Sequence, residues 1–220
     1  MQHGNRVSDV FAPDNETSAH ARSVGEKRPA PQTTMVVHFT ARSGSTWLSD
    51  VLSRAGLGMG PELFNPNFMP NMANRFGART LGEYVRLGPR YIQRNGVCSF
   101  EITGHQLKVV FASAADFHAA FPEALSYWLI REDIVAQAIS LQKMVEAGVG
   151  HSIKIDSEGR KQADARFEYD AEGIRKWVLH SLNAERYSEQ FFADFGITPF
   201  RMSYERNIAL GEEGLLSLFQ

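Results

Sequence analysis

Residues Met35 to Leu48 read MVVHFTARSGSTWL. The first five, MVVHF, are β-branched and aromatic-rich, and so short an apolar run predicts a buried strand. The run breaks into ARSGST and resumes as a helix beginning at Trp47. Gly44 lets the chain turn tightly and brings backbone N–H groups close to whatever sits there. Ser45 or Thr46 is expected to cap the helix with its hydroxyl. Amides that open onto a helix N-terminus suit phosphate or sulfate, and Arg42 adds a positive charge beside them. The stretch therefore predicts a strand, an anion-binding loop and a helix, and with them the binding of an anionic nucleotide.

What the loop lacks narrows the nucleotide. The ATP/GTP phosphate loop, GxxxxGK[ST], does not occur in the chain. Here the cation precedes the glycine by two residues, in Arg42-Ser43-Gly44-Ser45-Thr46-Trp47. Position by position, this string resembles the 5′-phosphosulfate loop of the sulfotransferases, K/R-x-G-[ST]-[ST]-[WL]. The resemblance implies that Arg42, Ser43, Gly44, Ser45, Thr46 and Trp47 hold 3′-phosphoadenosine 5′-phosphosulfate (PAPS) as co-substrate.

A second signature lies downstream. Ser126 to Ile130, SYWLI, reads as another buried strand and runs directly into Arg131-Glu132-Asp133. Ile134, Ala138, Leu141 and Val145 then recur at helical spacing, and Glu132 and Asp133 suit the first turn of that helix. Sulfotransferases place an Arg at the end of such a strand and a Ser on the helix after it, and the two clamp the 3′-phosphate. The corresponding pair is Arg131 and Ser140. Their separation would turn Ser140 away on a straight helix, but Arg131 precedes the helix and its long side chain can close the gap.

Further segments resemble one subfamily, the bacterial trehalose 2-sulfotransferases and lipopolysaccharide sulfotransferase-like proteins. GLGMGPELFNP is similar to their G-x-P-E-E-F-F segment. LGEYVRLGPRYIQRNGVCSFEITGHQLKVVF resembles a helix followed by N-G-V-F-G-x-K-L, and REDIVAQAISLQK resembles R-x-D-x-x-x-Q-A-x-S-L. FEYDAEGIRKWVLHSLNAERYSEQFFADFGITPFRMSYE resembles the closing helix and the I-x-P-x-x-V-x-Y-E strand. Together the similar segments run from about Val36 to Glu205. The fold implied is α/β: a single domain with a mainly parallel sheet flanked by helices, the P-loop-kinase-like sulfotransferase fold. The acceptor implied is a hydroxyl of a carbohydrate or glycolipid, and the resemblance is compatible with a homodimer.

Composition bounds the alternatives. At 220 residues and 43% hydrophobic content, the chain can bury one good core. With 23 basic against 25 acidic residues, net −2, it has no electrostatic reason to seek nucleic acid or anionic membrane. The single cysteine, Cys98, rules out an internal disulfide framework, fits a cytoplasmic setting and is expected to be a core thiol. No stretch has the apolar length of a transmembrane helix, and MQHGNRVSDV does not read as a signal peptide.

Met1 to Thr34 is polar and lacks apolar periodicity, so it is expected to be a flexible leader, with the folded domain spanning 35–220. From Met35 short apolar runs alternate with longer amphipathic ones, which predicts βα units around a parallel sheet. Strands are expected at Met35–Phe39, Gln106–Phe111, Tyr127–Ile130 and Thr198–Ser203, with a short one near Leu57–Met59. Trp47, Leu48, Val51, Leu52 and Ala55 mark a helix closed by Gly56. Helices are also expected over 114–121 and from Ala171 to Phe195, the latter ended by Gly196 and contributing Trp177 and Phe191 to the core. The segment from His151 to Phe167 reads as a loop.

Sulfuryl transfer passes through a loose, anionic SO3-like state, so positive charge and amide donors must meet the sulfuryl group and the leaving nucleotide. Arg42 and the amides of Gly44 to Thr46 are the candidates. The acceptor hydroxyl needs a base. Glu62 is the first candidate, since it matches the glutamate after the proline in the subfamily segment, although the second acidic position there is Leu63. His105 is the rival: it stands 63 positions after Arg42, near the offset at which cytosolic steroid and phenol sulfotransferases carry a histidine. Lys108, expected inside a strand, would reach toward the donor or pair with a buried carboxylate. His151 and Ser152 would line the acceptor cleft. No spacing suggests metal ligands, and the chemistry requires none.

Two features point elsewhere. The chain stops at Gln220, where sulfotransferases usually continue with a basic loop and a helix over the nucleotide, and Tyr204-Glu205-Arg206-Asn207 replaces the common Y-E-D-L. A degenerate PAPS-binding relic and a small-molecule kinase-like enzyme are therefore the alternatives. The kinase should show a loop lysine and a Mg²⁺-holding aspartate after a strand. Neither is evident.

Overall fold

The structure, a computed structural model, describes Val10, Phe11 and residues 13–58, 62–147 and 167–219. Parallel strands need long crossover connections, usually helices, and those helices cover both faces of the sheet. The chain follows that rule. Strands β1 (Thr33–Phe39), β2 (Val97–Ile102), β3 (Leu125–Ile130) and β4 (Phe200–Ser203) form one parallel sheet in the order β2-β1-β3-β4. The described helices are α1 (Glu16–Lys27), α2 (Ser45–Arg54), α3 (Met69–Phe76), α4 (Leu81–Ile92), α5 (Gly104–Val110), α6 (Ala114–Ala120), α7 (Ile134–Ala147), α8 (Ala171–Asp194) and α9 (Tyr204–Ser217). The expected α/β class with a parallel sheet and flanking helices is the one observed.

Alternation along β1 builds two cores. Met35, Val37 and Phe39 pack with Leu48, Val51 and Leu52 of α2, Met202 of β4 and Leu215 of α9. Val36 points to the other face, among Phe100, Ile102 and Trp128 of the neighbouring strands and Leu107, Phe117, Phe191 and Phe192 of the covering helices. Leu48 and Leu52 are fully buried, and each such side chain contributes about 1.5–3 kcal/mol. His38 also lies on the second face, with ring centres of Phe117, Phe191 and Phe192 at 6.2, 5.4 and 4.9 Å. Burial there pushes its imidazole down to about 3.

The strand order has a topological consequence. From β1 the chain goes to β2 on one flank, then crosses to β3 on the other. The carboxyl ends of β1 and β3 therefore flank a switch point, the place where open α/β sheets bind ligands.

Several expectations change. The apolar run Gln106–Phe111 is helical, and the strand of this unit is β2, upstream of it. The reason is a capping box: the Gln106 N–H donates to Thr103 Oγ1 (3.1 Å), and the Thr103 N–H donates to Gln106 Oε1 (3.0 Å). Lys108 accordingly sits on α5, with Nζ 3.8 Å from the Tyr187 ring centre on α8. Leu57 and Gly58 are not a strand, although their carbonyls accept from the Ser99 hydroxyl (2.9 Å) and amide (3.0 Å); Met59 lies outside the described residues, as do His151 and Ser152. Trp177 is half-buried, joining α8 to α7 by an Nε1 hydrogen bond to Gln142 Oε1 (2.8 Å). Phe191 is in the core as expected.

The stretch read as a leader contains α1, capped by Asn15. Its packing uses small residues, which leave no apolar period to detect. Gly77 has φ +69, and a Cβ on it would meet the Ser18 carbonyl oxygen at 2.1 Å. The Tyr91 hydroxyl donates to the Ala21 carbonyl (2.5 Å). Arg22 is buried and pairs with Asp14 (3.5 Å) and Glu83 (3.8 Å).

Candidate active site

The turn after β1 places Arg42 at φ +67 and Gly44 at φ +86, both left-handed. A non-glycine residue there is uncommon, and such backbone strain collects at ligand sites. Helix α2 starts at Ser45, two residues earlier than expected, with Gly44 as its N-cap and no side-chain cap. Ser45 and Thr46 therefore do not cap it. The Trp47 and Leu48 amides bond to the Gly44 carbonyl (3.1 and 3.2 Å). That leaves the Ser45 and Thr46 amides, which have no intrahelical acceptor, for a ligand.

Three other elements converge on this loop. From α7, the fully buried Gln137 donates through Nε2 to Thr40 Oγ1 (2.8 Å) and to the Ala41 carbonyl (2.8 Å), pinning the turn. One turn on, Ser140 Oγ accepts from Arg42 Nε (2.8 Å). At the end of β3, Arg131 reaches the Arg42 carbonyl through a terminal nitrogen (3.4 Å). The expected partnership of Arg131 with Ser140 is thus drawn differently. Ser140 bonds Arg42, and Arg131 joins through the Arg42 backbone. Burial and, second, the Arg131 charge lower the proton affinity of the Arg42 guanidinium, so an anion between the two relieves existing repulsion.

From β4 and α9, the Tyr204 ring lies against Gly44, where a Cβ would meet its Cδ2 at 2.3 Å. The Arg131 guanidinium sits 5.0 Å from the centre of the same ring. Glu205 pairs with Arg131 Nε at 3.8 Å and accepts from the Glu132 (2.9 Å) and Asp133 (3.3 Å) amides. Burial raises its carboxyl, but those amide bonds and the Arg131 charge outweigh it and leave Glu205 below the ordinary range. Glu132 and Asp133 precede α7 rather than forming its first turn, and Asp133 Oδ1 accepts from the Ala136 amide (2.8 Å). The α7 N-terminus is thus met by protein carboxylates, while that of α2 has no side-chain cap.

The acidic side of the site lies by β2. Val37 pairs with Glu101, so Glu101 points to the α2 face of the sheet. Glu101 is 5% exposed. Burial and, second, the neighbouring Glu62 charge raise its carboxyl to about 8. Glu62 Oε2 accepts from Asn65 Nδ2 (2.8 Å) and from Gln106 Nε2 at the start of α5. His105 is exposed on the first turn of the same helix.

Seven buried polar side-chain atoms have no hydrogen-bond partner among the described residues, and four of them belong to this edge: Ser43 Oγ, Glu101 Oε1, Arg131 Nε and Gln137 Oε1. Buried polar atoms are nearly always satisfied, so four exceptions at one sheet edge are groups that a ligand, an ion or a water can complete. Among the described residues no group of three or more His, Cys, Asp or Glu is placed to hold a metal, and no helix is long and apolar enough to cross a membrane.

The structure thus joins Arg42, Ser140 and Arg131 by hydrogen bonds at the loop that carries Ser43, Gly44, Ser45 and Thr46, while Trp47 packs against the core of the α2 face and Glu62 is held by Asn65 and Gln106. Sequence reasoning passed over Glu101, Gln137 and Tyr204. Glu101 had a signal, a lone carboxylate inside the apolar run VCSFEI, and Gln137 stands within the quoted REDIVAQAIS segment. Tyr204 stands within the quoted FRMSYE segment, but its contact with a glycine 160 positions away had no local signal.

No curated protein matches the chain. The family model of the Stf0 sulphotransferases matches residues 88–212, which take in β2, β3, β4 and the helices that carry Gln137, Ser140 and Tyr204. The match covers more than half of the chain and begins after the loop at Arg42, so the loop itself lies outside the matched residues while Arg131, Gln137, Ser140 and Tyr204 lie within them. On that match the chain belongs to the Stf0 sulphotransferase family and is a sulfotransferase.

Proposed function

We propose that the enzyme transfers a sulfuryl group from PAPS to a hydroxyl of a carbohydrate or glycolipid. The carrying observation is the uncapped start of α2 facing two guanidiniums, Arg42 and Arg131, at the β1/β3 switch point. In this reading the Ser45 and Thr46 amides and Arg42 hold the phosphosulfate and take up the charge that grows on the leaving nucleotide. Arg131, braced by Tyr204 and Glu205, reads the 3′-phosphate. Ser140 orients Arg42 through the 2.8 Å bond. Glu62 accepts the proton of the attacking hydroxyl, its carboxylate fixed by Asn65 and Gln106. His105 is the second candidate for that role. Metal plays no part in this scheme, and we place the activity in the cytoplasm, where the donor is made.

The test is transfer from radiolabelled PAPS to a panel of disaccharides and glycolipids. Label in a sugar sulfate ester supports the reading. Label that goes only to a phenol or a protein tyrosine overturns the carbohydrate assignment.

A further inference from the structure

Three consecutive residues where β4 meets α9, Ser203, Tyr204 and Glu205, reach toward the end of β3. The buried Ser203 donates from Oγ to Glu132 Oε1 (2.6 Å) and accepts from the Arg206 amide (3.3 Å). Glu205 accepts from the Glu132 and Asp133 amides (2.9 and 3.3 Å). The Tyr204 ring between them is therefore flanked by side chains fastened to the segment that follows Arg131. It meets both halves of the site: its Cδ2 edge lies against Gly44 of the donor loop, and the Arg131 guanidinium stands 5.0 Å from its centre. The polar contacts of Arg131 are weak by comparison. The Arg42 carbonyl is 3.4 Å away and Glu205 is 3.8 Å away, both longer than a good N–H···O bond. Its buried Nε has no hydrogen-bond partner among the described residues. A guanidinium with unspent donors suits a phosphate, which it can take in a planar, two-bond manner once its plane is fixed. The Tyr204 ring supplies that plane.

We propose that Tyr204 is the positioning residue that makes the donor site selective for a 3′-phosphate: its ring face orients the Arg131 guanidinium, and its edge ties that arginine to the loop that holds the 5′ end. The proposal rests on the donor reading above. It assigns selectivity to the aromatic face, not to the hydroxyl or to bulk. A guanidinium held against such a face is worth about threefold to thirtyfold in affinity. Without the face Arg131 keeps its charge but gains rotamer freedom, and a 3′-phosphate must then order the side chain as it binds. A nucleotide with a 5′-phosphate alone, held by the Ser45 and Thr46 amides, does not meet that cost.

The experiment is calorimetric titration of adenosine 3′,5′-bisphosphate and of AMP into the full chain, as wild type, Tyr204→Phe and Tyr204→Leu, each of the last two also in an Arg131→Ala background. Tyr204→Phe keeps the ring and should keep the wild-type preference for the bisphosphate. Tyr204→Leu keeps an apolar group against Gly44 but has no ring face, so the preference should shrink by about threefold to thirtyfold while AMP affinity changes little. In the Arg131→Ala background neither substitution should alter the preference further. A Tyr204→Leu protein that keeps the preference, or that weakens both ligands equally, overturns the proposal, because the residue then shapes only the loop. Tyr204→Phe losing as much as Tyr204→Leu also overturns it, by moving the effect to the hydroxyl. These results leave the donor reading standing. If wild type does not prefer the bisphosphate, the donor reading fails and the proposal fails with it.

Discussion

Replacing Gly44 by alanine tests whether the loop is shaped by its own backbone and by a neighbour from the far end of the chain. Two costs are expected. At φ +86 an alanine is left-handed, which costs about 1–2 kcal/mol. Its Cβ would also stand 2.3 Å from Tyr204 Cδ2, roughly 1 Å short of ordinary carbon contact, and overpacking of that kind costs about 1–3 kcal/mol. Together Gly44→Ala should destabilise by about 2–5 kcal/mol in urea denaturation followed by tryptophan fluorescence. The parts separate in a double-mutant cycle. In a Tyr204→Ala background the clash is gone, so Gly44→Ala should cost only the left-handed share, about 1–2 kcal/mol. Displacing Tyr204 also removes the ring 5.0 Å from Arg131, so the single variant should bind adenosine 3′,5′-bisphosphate more weakly. A Gly44→Ala penalty that is the same in both backgrounds would refute the contact. A penalty below about 0.5 kcal/mol would refute the backbone argument as well.

Further predictions concern the base, the core and the loop anchor. Glu62→Gln keeps size and removes the proton acceptor, so turnover should fall about 10²–10⁴-fold with little change in bisphosphate affinity; His105→Asn should be milder, and the reverse order would transfer the role to His105. His38 is neutral when folded, its affinity for protons lowered from 6.5 to about 3, so its contribution to stability is full above pH 6.5 and lost as pH falls toward 3. That loss amounts to at most about 4–5 kcal/mol, and His38→Leu should flatten the acid side of a stability-against-pH curve; an unchanged slope there would show that His38 is not the acid-sensitive group. Gln137→Leu should unpin Thr40 and Ala41, costing about 1–3 kcal/mol and weakening nucleotide binding; undiminished binding would mean that the turn holds its shape without α7.

Much of this was legible because it is local. MVVHF followed by ARSGST is a strand and a turn on its own terms, and the chain does place β1, the loop and α2 there. SYWLI ending at Arg131 is legible for the same reason. The misreading of Gln106–Phe111 shows where periodicity fails: QLKVVF is β-like in composition, while Thr103 and Gln106 carry the reciprocal cap that starts a helix. Placing the strand too late also hid Glu101, which lies on the strand that was missed. Helix α1 was hidden because its contacts are made by Ser18, Ala21 and Gly25, not by an apolar stripe. The bonds of Gln137 and Ser140 to the loop, and the seat of Tyr204 on Gly44, join residues about 100 to 160 positions apart. No local pattern encodes such pairings, because they depend on the strand order that brings β1, β3 and β4 side by side.

Discrimination of the 3′-phosphate tests the central claim most directly. Calorimetry should compare adenosine 3′,5′-bisphosphate with AMP on wild type and on Arg131→Ala. If the crevice between β1 and β3 holds PAPS, wild type should prefer the bisphosphate by about tenfold to a hundredfold, the worth of one charge-assisted interaction, and Arg131→Ala should bring the two ligands nearly level. Equal affinities in wild type, or a preference that survives the loss of Arg131, would contradict the account.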